Sequence, residues 1–162
     1  MIDPYLLIKW LHVVSSTILF GFGAGTAYYF WLAHRSGDPH VIASVGRMVV
    51  KADWIFTGTS GIVQPVTGIA LAHLSGVDLR ESWLVASFCL YLLALACWLP
   101  VVALQIKAQR LASRAASQGK PLGEDYRRAM RLWFILGWPA FIGLLCVFWL
   151  MISRPVLWIA GG

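Results

Sequence analysis

Charge is scarce in this 162-residue chain, where only 12% of residues are Asp, Glu, Lys or Arg and only 7 are acidic. An average soluble domain carries about 25% charged residues. With 59% hydrophobic residues and a mean hydropathy of +0.73, the shortage excludes a soluble globular domain. Cysteine is sparse too: Cys89, Cys97 and Cys146 make an odd number with no CxxC pair. That argues against a disulfide framework, and the three read as small buried hydrophobes, with redox or metal ligation as the functional reading. No basic stripe interleaves with aromatics, so nucleic acid is excluded as a partner and the net charge of +6 reflects topology. No nucleophile triad or paired carboxylate set lies in the apolar segments. "GFGAGTA" (21–27) is no nucleotide fingerprint, because no strand precedes it. The opening "MIDPYLLIKW" lacks the basic region and cleavage site of a secretory signal, so the first apolar stretch is expected to remain as a helix.

What is present is apolar length. Four stretches, roughly 4–33, 53–75, 82–106 and 129–153, each reach the ~20 residues that a helix needs to cross a bilayer. They imply an all-α membrane protein, a single four-transmembrane-helix bundle over residues 1–162. Its expected helices are about 4–33, 41–75 (kinked near Pro65), 82–117 and 124–154. Asp3 is a suitable N-cap and Pro4 a suitable first helical residue. The third connection reads as a basic extension of helix 3, a break at Gly119, Pro121 and Gly123, and a fourth helix with Glu124 and Asp125 in its first turn. Its basic face suits water or anionic headgroups.

Ten cations, Arg35, Arg47, Lys51, Lys107, Arg110, Arg114, Lys120, Arg127, Arg128 and Arg131, fall in or beside the first and third connections. Three, Lys9, Arg80 and Arg154, flank the other ends. The positive-inside bias then puts the N and C termini on the outer side. Tryptophan gives a depth scale: Trp10 and Trp31, 21 residues or about 31 Å apart, mark the outer and inner belts of helix 1. Trp54 and Trp133 are expected at the inner belt and Trp83 at the outer one. Gly21 and Gly25 have the small-xxx-small spacing that lets membrane helices approach closely.

Four histidines remain to be explained. His34 and His40 lie in the turn "AHRSGDPH", where surface histidines need no special role. His12 and His73 lie in spans, each 19 residues from an inner-belt tryptophan, Trp31 or Trp54. Antiparallel helices would bring both imidazoles to one depth, where they are candidates to ligate one metal or haem iron. On the helical wheel His12, Ser16, Leu19 and Gly23 fall within about 40° of one line, a face that suits a flat macrocycle. Lys9, on the turn above His12, is a candidate propionate partner, and Arg80 and Arg154 are further ones. The plain structural readings are a snorkelling Lys9, an interhelical hydrogen bond for His12 and an interfacial His73. Asp53 is expected to cap helix 2 or to pair with Lys51 or Arg47, with a proton relay as the functional reading. Gln64, Thr67 and Gln105 are expected to form interhelical hydrogen bonds, and contact with a quinone headgroup is their functional version.

"KWLHV", "AHRSGDP", "ADWIFT", "QPVTGIALA" and "YLLALACWLPVVALQ", in this order, resemble a family of predicted bacterial integral membrane proteins of unknown function. The likeness covers nearly the whole chain. More distantly, "KWLHVV" and "RLWFILGWPAFIGLLCVFWLMISRP" resemble the haem-containing membrane protoporphyrinogen oxidase of bacteria. That family opens with Lys-x-Leu-His and ends with an Asn-Glu-x-Pro segment running to Lys-Pro. The resemblance assigns the haem-linked histidine to His12 and the final turn to Arg154 and Pro155. Leu136 and Gly137 stand where that family has Asn-Glu, and "SWLVASF" lacks its lysine, which argues against porphyrinogen oxidation by the same mechanism.

The expected function is therefore that of a bacterial inner-membrane protein that binds b-type haem between helices 1 and 2. It would transfer electrons between a membrane quinol or redox partner and an acceptor on the outer side, with the lipid bilayer as surroundings and a homo-oligomer as one expected state. A non-haem accessory subunit or assembly factor is the alternative, and small-solute or metal transport the third reading.

Overall fold

A computed structural model of the chain describes residues 3–158, and helix is the only regular structure among them. Helix α1 (Pro4–Ser36) starts where the sequence says it should: the Asp3 carboxylate accepts from the Tyr5 N–H at 2.9 Å, and Pro4 takes the first helical position. Gly37, at φ 69°, ends it in the left-handed conformation that glycine adopts without steric cost. Asp38 and Pro39 repeat the same start signal for α2 (Pro39–Ala52). A π-helical turn (Asp53–Gly58) joins α2 to α3 (Thr59–Leu74) without a break, so the second span is one rod from Pro39 to Leu74. Helix α4 (Ser82–Gln118) and helix α5 (Glu124–Ser153) complete four helices long and apolar enough to cross a membrane. All ten cations of the first and third connections are exposed at the end carrying the 37–38 and 119–123 turns, here the basic end.

The second span holds a feature that its apolar length does not announce. Irregular geometry lies at Asp53–Gly58, ahead of Pro65, and α3 runs through Pro65 as helix. A proline in a helix strands the carbonyl four residues back, here that of Gly61. The Tyr91 hydroxyl of α4 donates to that carbonyl. In an apolar medium such a substitute donor keeps a proline-bearing helix viable.

The densest packing sits toward the basic end. Phe30 and Ala33 of α1, Ile42, Ala43 and Val49 of α2, Ala108 and Ala112 of α4, and Tyr126, Ala129, Met130 and Trp133 of α5 form one buried cluster. Small side chains set the spacing: a Cβ on Gly46 would lie 3.0 Å from Gln109 and 3.1 Å from Phe30, so α2 meets α4 and α1 backbone-close. Helices α4 and α5 stay together toward the terminal end, where Gly143 faces the Leu90 carbonyl and Ala94. Helix α3 packs on α1 there, and the backbones of the α1–α3 and α4–α5 pairs stay apart, bridged by side chains: Phe20 on Phe141 at 5.3 Å and Phe148 at 5.4 Å, and Tyr91 on the Gly61 carbonyl. The bundle is therefore closed at its basic end and split toward its terminal end.

Three expectations are corrected by this packing. Gly21 and Gly25 face nothing within 4 Å, and the close approaches fall at Gly46, Gly68 and Gly143 instead, because the line that α1 turns toward α3 holds His12. Trp133 is a core residue at 6% exposure rather than a belt residue, held edge-to-face against Phe30 at 5.4 Å. Cys89 and Cys146 are exposed on the bundle surface rather than buried, while Cys97 is half-buried.

Candidate functional site

His12 is built into the α1–α3 contact. Its Nδ1 lies 2.7 Å from Thr67 Oγ1. The Thr67 hydroxyl has one proton and two carbonyls of its own helix in reach, Val63 at 2.7 Å and Gln64 at 3.2 Å. Threonines in apolar helices spend that proton on the preceding turn. Assigned this way, the hydrogen-bond network puts the imidazole proton on Nδ1 and leaves the lone pair on Nε2, which no described protein group bonds. Gln64 Nε2 fixes the backbone beneath, donating to the His12 carbonyl at 2.7 Å and to Ser15 Oγ at 2.5 Å. Gly68 makes room: a Cβ there would touch His12 Cε1 at 3.4 Å. The interhelical roles expected of Gln64, Thr67 and Gln105 are present.

His73 is exposed near the end of α3, five residues past Gly68, which amounts to about 7.5 Å farther along the axis and about 140° around it. The two histidines thus lie at different depths. The register is set by the His12–Thr67 bond and the Phe22–Phe56 stack at 4.0 Å, which puts Trp54 beside the middle of α1 rather than level with Trp31. Lys9 is exposed and sits over the Tyr5 ring at 5.6 Å. Arg80 is exposed in the turn after α3. Arg154 caps α5 at φ 44° and lies 5.3 Å from the Trp83 ring centroid. Ser16 spends its hydroxyl on the Val13 carbonyl of its own helix.

A second polar cluster lies nearer the basic end. Asp53, at 3% exposure, belongs to a buried stripe, Ile42, Gly46, Val49, Asp53, Thr57 and Ser60, spaced three and four apart. Its Oδ1 accepts from Thr26 Oγ1 at 2.8 Å and Thr57 Oγ1 at 3.3 Å, and its Oδ2 from Gln105 Nε2 at 2.9 Å. This corrects the expected cap or ion pair: Lys51 and Arg47 are exposed, and the one ion pair among the described residues joins Arg127 to Glu124. The signal that finds it is the four-three-four spacing of Ile42, Gly46, Val49 and Asp53, which puts the carboxylate on the buried face of α2.

Between the two helix pairs runs a slot of about 1020 Å³. Leu19, Gly23, Val66, Phe88, Leu92 and Leu144 line its terminal portion, and Trp31, Thr57, Trp98 and Trp133 its basic one. Leu19 and Gly23 lie on the same helical line of α1 as His12, which does not itself line the slot. Its walls are almost wholly apolar.

No curated protein and no solved structure matches the chain. The distant likeness to haem-containing protoporphyrinogen oxidase gains no support from these comparisons. One family model matches residues 6–155, nearly the whole length, and its description is that of a predicted integral membrane protein. A multi-pass bundle of four apolar helices agrees with that description, and the chain belongs to this family, DUF2269.

Proposed function

We propose that this protein is a b-type haem protein of the bacterial inner membrane that moves electrons at the outer face, with His12 as the ligand that anchors the iron. One observation carries the reading: Thr67 holds Nδ1 of His12 and leaves Nε2 free. Metal-bound histidines characteristically use this arrangement, in which a bond to the far ring nitrogen fixes tautomer and orientation. The surroundings fit the group. Leu19 and Gly23 offer a flat, low face below the imidazole, and Lys9 stands one turn above it for a propionate. Arg80 and Arg154 lie at the same end of the bundle. His73, about 7.5 Å farther along α3 and about 140° around it, is not placed to share the iron with His12.

Haem supplies one-electron redox chemistry when bound. The chain's part is to orient the imidazole through Thr67 and Gln64, to exclude water with the apolar slot, and to meet the propionates with cations. The test is the haem content of protein purified in mild detergent after growth with ample haem. Wild type is expected to carry haem in stoichiometric amount and His12→Ala to lose it, while His73→Ala keeps it with an unchanged spectrum. A colourless wild type that co-purifies with another membrane protein would overturn this reading in favour of an accessory subunit.

A further inference from the structure

The slot extends well away from His12, and its basic portion differs in character from the rest. An indole from each of four segments borders it: Trp31 from α1, Trp54 from the π turn, Trp98 from α4 and Trp133 from α5. Trp54 and Trp98 stand edge-to-face at 5.9 Å. Among the described residues, two buried side-chain polar atoms have no hydrogen-bond partner, Trp133 Nε1 and Gln105 Oε1. Trp133 is 6% exposed and lines the slot, and Gln105 is 2% exposed. The facing of Gly143 with Leu90 and Ala94 sets the α4–α5 register and places Trp133 and Gln105 within about one turn of each other. Thr57 joins the two regions, lining the slot while its hydroxyl bonds Asp53.

A buried donor and a buried acceptor without partners, beside an aromatic-walled cavity, ask for a ligand that carries the complementary groups. Trp133 and Gln105 lie two residues, about 3 Å along the axis, inside the exposed cations Arg131 and Lys107. No Lys or Arg lines the slot itself, so a phospholipid phosphate would find no counter-charge there. A flat ring bearing carbonyl or hydroxyl oxygens, on a long apolar tail, meets every feature. We propose that the slot binds a membrane quinone or quinol, its ring among the four indoles and its tail toward Leu19, Val66, Phe88 and Leu144. The Trp133 N–H donates to a ring oxygen, and Gln105 stands behind as acceptor with Thr57 and Asp53 beside it. This goes beyond the haem reading, shares Leu19 with it, and places its polar contacts on separate residues.

The test is a tryptophan-fluorescence titration of the purified wild-type protein in detergent with a benzoquinone carrying a ten-carbon tail, since a quinone quenches the indoles it contacts. Saturable quenching is expected, with affinity about tenfold weaker in Trp133→Phe, which deletes the N–H. Gly137→Leu, which fills the slot at a glycine with open space around it, should weaken binding at least as much. Gly21→Leu, equally open and outside the slot, should leave the affinity unchanged. Quenching that rises linearly without saturating, or saturable quenching that Gly137→Leu leaves intact, would overturn the proposal. So would a phospholipid that co-purifies in the slot and is not displaced by the quinone. None of these readouts depends on haem content, so the two proposals fail separately.

Discussion

Nδ1 of His12 and Oγ1 of Thr67 meet at 2.7 Å across the α1–α3 contact, joining residues 55 apart in the chain. Removing the hydroxyl while keeping the shape, in Thr67→Val, is expected to destabilise the protein by about 0.6–1.7 kcal/mol, the range for interhelical hydrogen bonds in membranes. Thr67→Ser should retain most of the stability. Thermal unfolding in detergent measures both, and an unchanged midpoint in Thr67→Val would show that the bond contributes nothing.

The Tyr91–Gly61 bond invites a double-mutant cycle. Tyr91→Phe leaves the Gly61 carbonyl without a donor, at an expected cost of about 1–3 kcal/mol. Pro65→Ala restores the helix's own N–H to that carbonyl, so Tyr91→Phe should cost less in that background, with a coupling of about 0.5–3 kcal/mol. Equal costs in both backgrounds would mean that the tyrosine does not serve the proline.

Asp53 accepts three side-chain hydrogen bonds inside the bundle. Asp53→Asn keeps an acceptor at this position and is expected to cost little. Asp53→Leu leaves the amide of Gln105 without its partner and overfills a tight site, and about 2–4 kcal/mol is expected. The comparison of their unfolding midpoints decides whether the network matters to the fold.

Much of the fold was legible because membrane physics writes it in simple terms. Span length, the Asp-Pro helix starts and the glycine stops at Gly37 and Gly119 all appear in the structure as residues of these types dictate. Gln64, Thr67 and Gln105 were legible as interhelical donors because an amide or hydroxyl in an apolar helix has few other uses. The register between α1 and α3 was not. Two tryptophans at similar sequence distances from two histidines suggested a common depth, but Trp54 borders the slot and sits in a π turn, so it does not mark the membrane surface. The burial of Asp53 follows from its place on the stripe of Ile42, Gly46 and Val49, a pattern that its position beside Lys51 and Trp54 masked.

The distribution of cations makes a topological prediction. The ten exposed cations at the basic end should face the cytoplasm and both termini the outer side. Alkaline phosphatase fused after residue 158 is expected to be active, and the same enzyme inserted at Gly119 inactive. The reverse pattern would invert the orientation.

The most direct measurement of the central claim is an absorption spectrum, oxidised and dithionite-reduced, of His12→Gly purified with and without added imidazole. A histidine that acts only through its hydrogen bond to Thr67 gives no reason for free imidazole to restore an iron ligand. The expected result is a wild type with a Soret band, a variant that has lost it, and its return when imidazole fills the vacated space. A wild type without a Soret band, or a His12→Gly spectrum identical to that of wild type, would contradict the assignment of His12 to the iron.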